Sequence, residues 1–473
     1  MKRFLLLASG VLVANALAAA EPVLSPVAQP VFPDRQMDVR QFGAVGDGLA
    51  DCTVAFAKAI ATLSEKGGGQ LIVPPGIWLT GPIKLRSHIN LHLERSALIQ
   101  FSREYRLYPI VGLDIQGEKE TVTTSPICGQ KLEDVAITGE GIIDGGGEAW
   151  RPVKKSKLSE VEWKALVKSG GMVNEKGDFW WASEVARSGK PERPRMLRLI
   201  GCKRVLLAGV TFQNPPNWTM NPQLSEDVSI LNVTVHNSPA AQNSDALDLE
   251  SCRRAVIRGC TFDTGDDGIC IKSGKDAVGR RIGVPTEDVL VEGCTVYHAH
   301  GGFTIGSEMS GGVRNMLVTN CTFIGTDIGL RFKSRRGRGG VVENIHITDI
   351  RMVDITHAAI SFSFNYGGKS SEDELDAASD TKVLPVTEET PEFRDFHIEN
   401  VICRGAQTAM VLDGLPEMPL RDLTLKNVSL TSQQGVLVAD ANNISFENVR
   451  VENKTGKVLT TLRVKNSKLD LMK

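Results

Sequence analysis

Apolar residues alternate with polar ones at period 2 through most of the chain, and the alternation keeps restarting. Val205-Leu-Leu-Ala-Gly-Val210, Val228-Ser-Ile-Leu-Asn-Val233, Ala255-Val-Ile-Arg-Gly-Cys260, Val289-Leu-Val-Glu-Gly-Cys294 and Met316-Leu-Val-Thr-Asn-Cys321 are versions of one short strand. The motif returns at Ile345, Phe396, Leu423 and Ile444, and its last residues are spaced 23, 27, 34, 27, 29, 51, 27 and 21 positions apart from Val210 onward. A strand pattern at this interval, with no helical periodicity between copies, predicts an all-β chain folded as a right-handed parallel β-helix. A β-sandwich would need hairpin turn signals between strands and would not repeat one motif in register. Asp51-Cys-Thr53, then apolar positions at helical spacing from Val54 to Ser64, predict a short amino-terminal helix that caps the solenoid. The Asn before the final apolar residue of many repeats (Asn232, Asn320, Asn400, Asn427 and Asn448) is read as a turn or ladder residue.

The same periodicity sets a second family of strands side by side. Asp245-Ala-Leu-Asp-Leu-Glu-Ser251, Asp267-Gly-Ile-Cys-Ile-Lys-Ser273, Gly301-Gly-Phe-Thr-Ile-Gly-Ser307 and Ile328-Gly-Leu-Arg-Phe-Lys-Ser334 align without a gap. With Leu247, Ile269, Phe303 and Leu330 inward, Asp248, Cys270, Thr304 and Arg331 face outward. Asp245 and Asp267 then share one column, and Asp266 and His300 share the next. Because stacked strands lie ~4.8 Å apart, three carboxylates, an imidazole and the cations Arg331 and Lys333 should converge within roughly 15 Å. Each of these residues alone has a bland explanation as a turn or a solvated face; their placement on successive repeats does not.

Composition changes the picture in three places. Lys2-Arg3, an apolar run from Phe4 to Val13 and small residues to Ala20 predict a signal peptide over 1–20 and an exported protein, periplasmic or secreted. No later run is apolar enough to span a bilayer. A Pro-rich lead over 21–36 is expected as an extended tether, followed by one catalytic domain over 37–473. Without Lys2 and Arg3 the chain has 52 basic and 56 acidic residues, so nothing global attracts a nucleic acid, and an anionic ligand must be held locally. Nine cysteines lack any metal-binding spacing, and Cys260, Cys294 and Cys321 recur at one repeat position, which predicts a buried ladder of thiols.

Two stretches interrupt the rhythm: 145–195, with Trp150, Trp163, Trp180 and Trp181, and 366–392, acidic and Ser-rich. Both are expected on the cleft side, the first stacking sugars or closing the cleft.

Paired carboxylates suit glycoside hydrolysis, in which one protonates the leaving oxygen and another activates water. Attack by a water held at the Asp245/Asp267 column implies inversion and a carboxyl separation of ~6.5–9.5 Å, with neighbouring negative charges raising the pKa of the acid. His300 would tune Asp266, and Arg331 with Lys333 would pair with a substrate carboxylate.

Asn243-Ser-Asp245, Gly265-Asp-Asp267, His300-Gly301 and Arg331-Phe-Lys333 resemble the four signature segments of the polygalacturonases, glycoside hydrolase family 28, and Phe42-Gly-Ala-Val-Gly-Asp-Gly48 is similar to the start of bacterial and plant members. The resemblance implies inverting hydrolysis of α-1,4-linked galacturonan with no cofactor and no metal. It makes Asp266 the general acid, gives the water to Asp245 and Asp267 with His300 assisting, and sets Asn243, Lys272, Arg331 and Lys333 on polygalacturonate or oligogalacturonides. Ser244, Ala299 and Phe332 depart from the usual Thr, Gly and Ile without removing a chemical group. The segments 306–314 and 333–340 resemble exo-acting members, and a monomer is expected. Endo action, a rhamnogalacturonan substrate, a calcium-dependent pectate lyase and a non-catalytic polysaccharide-binding β-helix are the alternatives; the last two leave the converging Asp residues unexplained.

Overall fold

The computed structural model describes residues 22–365 and 382–472. The expected signal peptide and most of the acidic insertion, 366–381, lie outside the described residues.

The chain winds as a right-handed parallel β-helix built on one 30-stranded sheet. A representative turn comprises the strands Leu247–Glu250, Arg253–Arg258 and Thr261–Asp263. It lies between the turn of Met220–Gln223, Glu226–Leu231 and Thr234–His236 and that of Ile269–Lys272, Thr286–Glu292 and Thr295–Tyr297. The repeated motif stacks in register: Val205 on Val228, then Ala255, Val289, Met316, Ile345, Phe396 and Leu423. These positions all point inward and are buried. Since every turn buries its own apolar row against the next, one core runs along the axis.

The corner after the second strand requires a left-handed residue. Asn232, Asn320, Asn400, Asn427 and Asn448 have φ of 52°, 54°, 56°, 53° and 57°, and Gly209, Gly259 and Gly293 take the same corner in other turns. The asparagines form a ladder: Asn448 Nδ2 donates to Asn427 Oδ1 at 2.7 Å, and Asn427 Nδ2 to Asn400 Oδ1 at 3.1 Å. Cys260, Cys294 and Cys321 follow the corner inside the core, and all nine cysteines are free thiols. Phe332 adds to a row of rings, 4.2 Å from Phe362 and 5.2 Å from Phe396 between centroids, so the larger side chain at that position serves the core.

The capping helix spans Thr53–Glu65 and buries Phe56, Ala59, Ile60 and Leu63 over the first turns. Its start differs in detail from expectation: Cys52 is the cap residue and makes no side-chain cap, while the Asp51 carboxylate accepts from the Thr53 N–H at 2.9 Å. The Pro-rich lead is not a free tether. Its Ala28 N–H donates to Asp227 at 3.2 Å, its Val31 N–H to Asp134 at 3.2 Å, and Gln29 Nε2 to Ser229 Oγ at 2.7 Å, so it runs along the outside across several turns.

Two additions flank the mouth. One is the hairpin Ile110–Ile115 with Glu118–Thr123. The other, between Asp144 and Leu197, contains a small antiparallel sheet (Val153–Lys154, Phe179–Trp181, Met172–Val173) and the helices Glu160–Lys168 and Glu184–Ser188.

Candidate active site

The strands Leu247–Glu250, Ile269–Lys272, Gly301–Ile305 and Ile328–Lys333 stack with Leu247 beside Ile269, Ile269 beside Phe303 and Phe303 beside Leu330. Counting back from these partners puts Asp245 beside Asp267 and Asp266 beside His300, as the aligned sequence requires. Asp245, Asp266 and Asp267 each offer a carboxylate oxygen within 4.8 Å of the others. That is closer than the expected inverting separation. The cause is simple: two of the residues are chain neighbours and the third lies one turn, ~4.8 Å, away.

Cations surround the trio. Lys333 Nζ lies 2.8 Å from Asp267 Oδ2, and Arg331 Nη1 lies 3.2 Å from Asp267 Oδ1, which also accepts from Thr304 Oγ1 at 3.2 Å. His300 Nδ1 is 3.3 Å from Asp266 Oδ1, which accepts the Asp267 N–H at 2.9 Å. Lys272 Nζ stands 2.8 Å from Asp248, 3.6 Å from Asp245 and 3.4 Å above the Trp218 ring. Asn243 has a left-handed backbone (φ 53°), and its Oδ1 accepts from Arg193 Nη2 at 2.8 Å. All eight sequence-identified residues line one cleft of about 710 Å³. Arg331 and Lys333 thus hold Asp267, a contact that column counting did not reveal.

The charges sort the carboxyls. Burial pushes Asp267 up, but Lys333 and Arg331 override it and hold the group well below the usual range. Burial likewise opposes ionisation of Asp266, yet His300 and Lys333 bring it down to about 2. Asp245 goes the other way: burial, then the charges of Asp248 and Asp266, raise it well above normal despite Lys272. Neighbouring carboxylates do raise one pKa, but in the free cleft that group is Asp245 rather than Asp266. His300 is raised: burial opposes its charge, and Asp266 more than restores it.

Sequence reasoning missed several members. Asp248, fully buried, is pushed up to about 7 by burial against the pull of Lys272. A carboxyl raised in the folded state adds stability that is complete below its unfolded pKa near 3.9 and lost as pH climbs through about 7. Asp248→Asn should therefore lose less thermal stability than the native chain between pH about 4 and about 8; equal slopes in calorimetric unfolding would refute this. Glu308, held ionised by Lys272 and Lys333 against burial, lines the same cleft, as do Trp218, Asp327 and His357. Trp218 follows Asn214-Pro-Pro-Asn217 and sits one turn before Asp245 in the same column, a signal that was there to be read.

The insertion does reach the cleft, through Pro152, Lys154, Lys157 and Phe179. Its tryptophans do something else: Trp150 is buried edge-on against Tyr105 and Tyr108 outside the insertion, Trp163 and Trp180 are buried, and Trp181 stacks on Phe179. The buried Ser244 hydroxyl donates to the Ala241 carbonyl at 2.9 Å, a bond that a threonine hydroxyl could also make.

A walled cleft on a solenoid, with three carboxylates and an opposing bank of cations, defines a polysaccharide-cleaving enzyme of the acid/base type. Residues 153–432 match the model of "Glycosyl hydrolases family 28", and the chain belongs to that family as a glycoside hydrolase. It is 30% identical to a "Probable polygalacturonase" of Vitis vinifera over 89% of this chain and 78% of that protein. It is 25% identical to an "Exo-poly-alpha-D-galacturonosidase" of Dickeya chrysanthemi over 92% of this chain and 74% of that one. Its fold superposes on the crystal structure of a hyperthermoactive exopolygalacturonase from Thermotoga maritima with a TM-score of 0.74 and 33% identity, covering 90% of this chain and 94% of that one.

Proposed function

We propose that the cleft hydrolyses α-1,4-galacturonosidic bonds of polygalacturonate, acting from a chain end with inversion. The observation that carries this reading is the pairing of a three-carboxylate cluster with Arg331, Lys333 and Lys272 in one buried cleft. Such a cleft attracts a polyanionic sugar and has the acid and base to cut it.

Asp266 is the acid, and Asp245 with Asp267 positions and deprotonates the water. Burial and the charges of Asp248 and Asp266 favour the protonated form of Asp245. An incoming uronate carboxylate competes for His300 and Lys333, the groups that depress Asp266, so its pKa rises on binding. The proton then has less than 4.8 Å to travel between carboxylates. Arg331 and Lys333 thus have two tasks, holding Asp267 ionised and receiving the substrate. Two cations already at Asp267 also occupy the charge balance a metal would supply.

Chain-end attack is supported by the hairpin and the insertion, which wall the cleft, and by the exo-acting relatives. Export and a monomeric state complete the reading; among the described residues no helix is long and apolar enough to cross a membrane.

Product analysis on polygalacturonate, with and without chelator, tests it. The expected result is saturated short galacturonides from the earliest times, indifferent to chelator and first released as the β-anomer. Early mixed oligomers would make the action endo, an initial α-anomer would mean a covalent intermediate, and unsaturated chelator-sensitive products would mean a lyase.

A further inference from the structure

A second cavity of about 250 Å³ adjoins the catalytic cleft and shares Trp218 and Asn243 with it. Its far side is formed by Glu120, Val122 and Thr123 of the hairpin. The register explains its position. Leu197 stacks on Met220, Met220 on Leu247 and Leu247 on Ile269, so Arg195, Trp218, Asp245 and Asp267 occupy one column on four consecutive turns. Arg195 therefore lies two turns, roughly 10 Å, from Asp245 along the axis. That is beyond the sugar unit whose bond is cut and within reach of the next one.

Three arginines line this cavity: Arg193, Arg195 and Arg198. Arg195 lies 4.3 Å over the Trp218 ring, with its Nη1 2.6 Å from Asn221 Oδ1 and 3.5 Å from Glu250. Arg198 is 95% buried, and its Nε has no hydrogen-bond partner among the described residues. Its Nη2 donates to Gln223 Oε1 at 2.9 Å and to the carboxylate of Glu120 at 2.7 Å. Burial pushes Arg193 and Arg198 down from the usual arginine range, which marks cations short of solvent. The Glu120 side chain is partly exposed on the hairpin, so a carboxylate already sits on Arg198 and can be exchanged for another.

We propose that this cavity is a carboxylate-reading subsite: Arg195 and Arg198 bind the carboxylate of the terminal uronate unit, which replaces Glu120, while Trp218 packs against its ring. Arg193 is occupied with Asn243 and the Gln242 carbonyl and holds the wall between the two cavities. The enzyme then recognises a chain end by charge. A terminal unit with its carboxyl esterified loses the charge-assisted hydrogen bonds to the partly buried Arg195 and the buried Arg198. This inference rests on the proposed galacturonan substrate.

The test uses the full-length enzyme and three trigalacturonates, each methyl-esterified at one unit in turn. In the native enzyme, esterification of one terminal unit should lower kcat/KM by roughly tenfold or more, the scale of a charged hydrogen bond. Arg195→Gln and Arg198→Gln should reduce that penalty towards parity and leave the penalties at the other units in place. Arg195 is only partly buried, so its variant carries the test should Arg198→Gln fail to fold. A native enzyme that cleaves trigalacturonate but ignores both terminal esters, or variants that keep the full penalty, would overturn the subsite alone. A native enzyme that cleaves no galacturonide would overturn the proposed function and the subsite with it.

Discussion

Asp266→Asn is expected to lower turnover on polygalacturonate by about a hundredfold to ten-thousandfold, the range attributed to general acid catalysis, while oligogalacturonate binding changes little. The amide keeps the size of the carboxyl and can still face His300, 3.3 Å away, but cannot give a proton to a leaving oxygen. Removing the negative charge beside Asp245 also relieves one of the charges that raise that group. Asp245 should therefore titrate lower in the variant, so residual activity should decline at a lower pH than in the native enzyme. Steady-state kinetics with calorimetric binding checks both parts. Turnover within a few-fold of native would remove Asp266 from the acid role, and loss of binding would mean that the substitution disturbed the cleft rather than the chemistry.

Asp267→Asn should fail differently. Asp267 is buried between Arg331 and Lys333, and neutralising it takes the nearest counter-charge from two nearly buried cations. Breaking a buried ion pair from one side costs about 3–5 kcal/mol, so a clear fall in the unfolding midpoint should accompany a turnover loss of the same order as in Asp266→Asn. The same change removes one competitor for both cations, so affinity for oligogalacturonate should hold or improve. Unchanged thermal stability would show that these contacts do little for the fold, and weakened binding would argue that Arg331 and Lys333 do not receive the substrate.

The contrast between these variants shows what a sequence can and cannot display. The repeat placed Asp245 beside Asp267 and Asp266 beside His300, because a parallel register follows from aligning inward residues and a column follows from the register. The Asn corners and the cysteine ladder were legible for the same reason. What side chains do once in their columns was not. Which carboxyl keeps the proton depends on distances to Lys272, Lys333 and His300 that differ by an ångström or less. Aromatic content predicts that the insertion's tryptophans stack sugars or close the cleft, because content alone does not distinguish buried rings from an exposed shelf. Trp218 lay in the column all along, but its turn lacks the acidic motif that drew attention to the others. The Pro-rich lead was legible as extended, yet its docking partners Asp134 and Asp227 are distant in the chain and obey no local pattern.

The roles within the trio form the central claim, and a substrate whose leaving group needs no proton isolates them. Native enzyme, Asp266→Asn and Asp245→Asn should be compared on polygalacturonate and on a galacturonosyl fluoride, since fluoride departs without acid assistance. The account predicts that Asp266→Asn fails on the polymer yet approaches native rates on the fluoride, while Asp245→Asn, short of its water-activating carboxylate, fails on both. Rescue of Asp245→Asn by the fluoride, with Asp266→Asn inactive on both substrates, would contradict it and move the acid to Asp245.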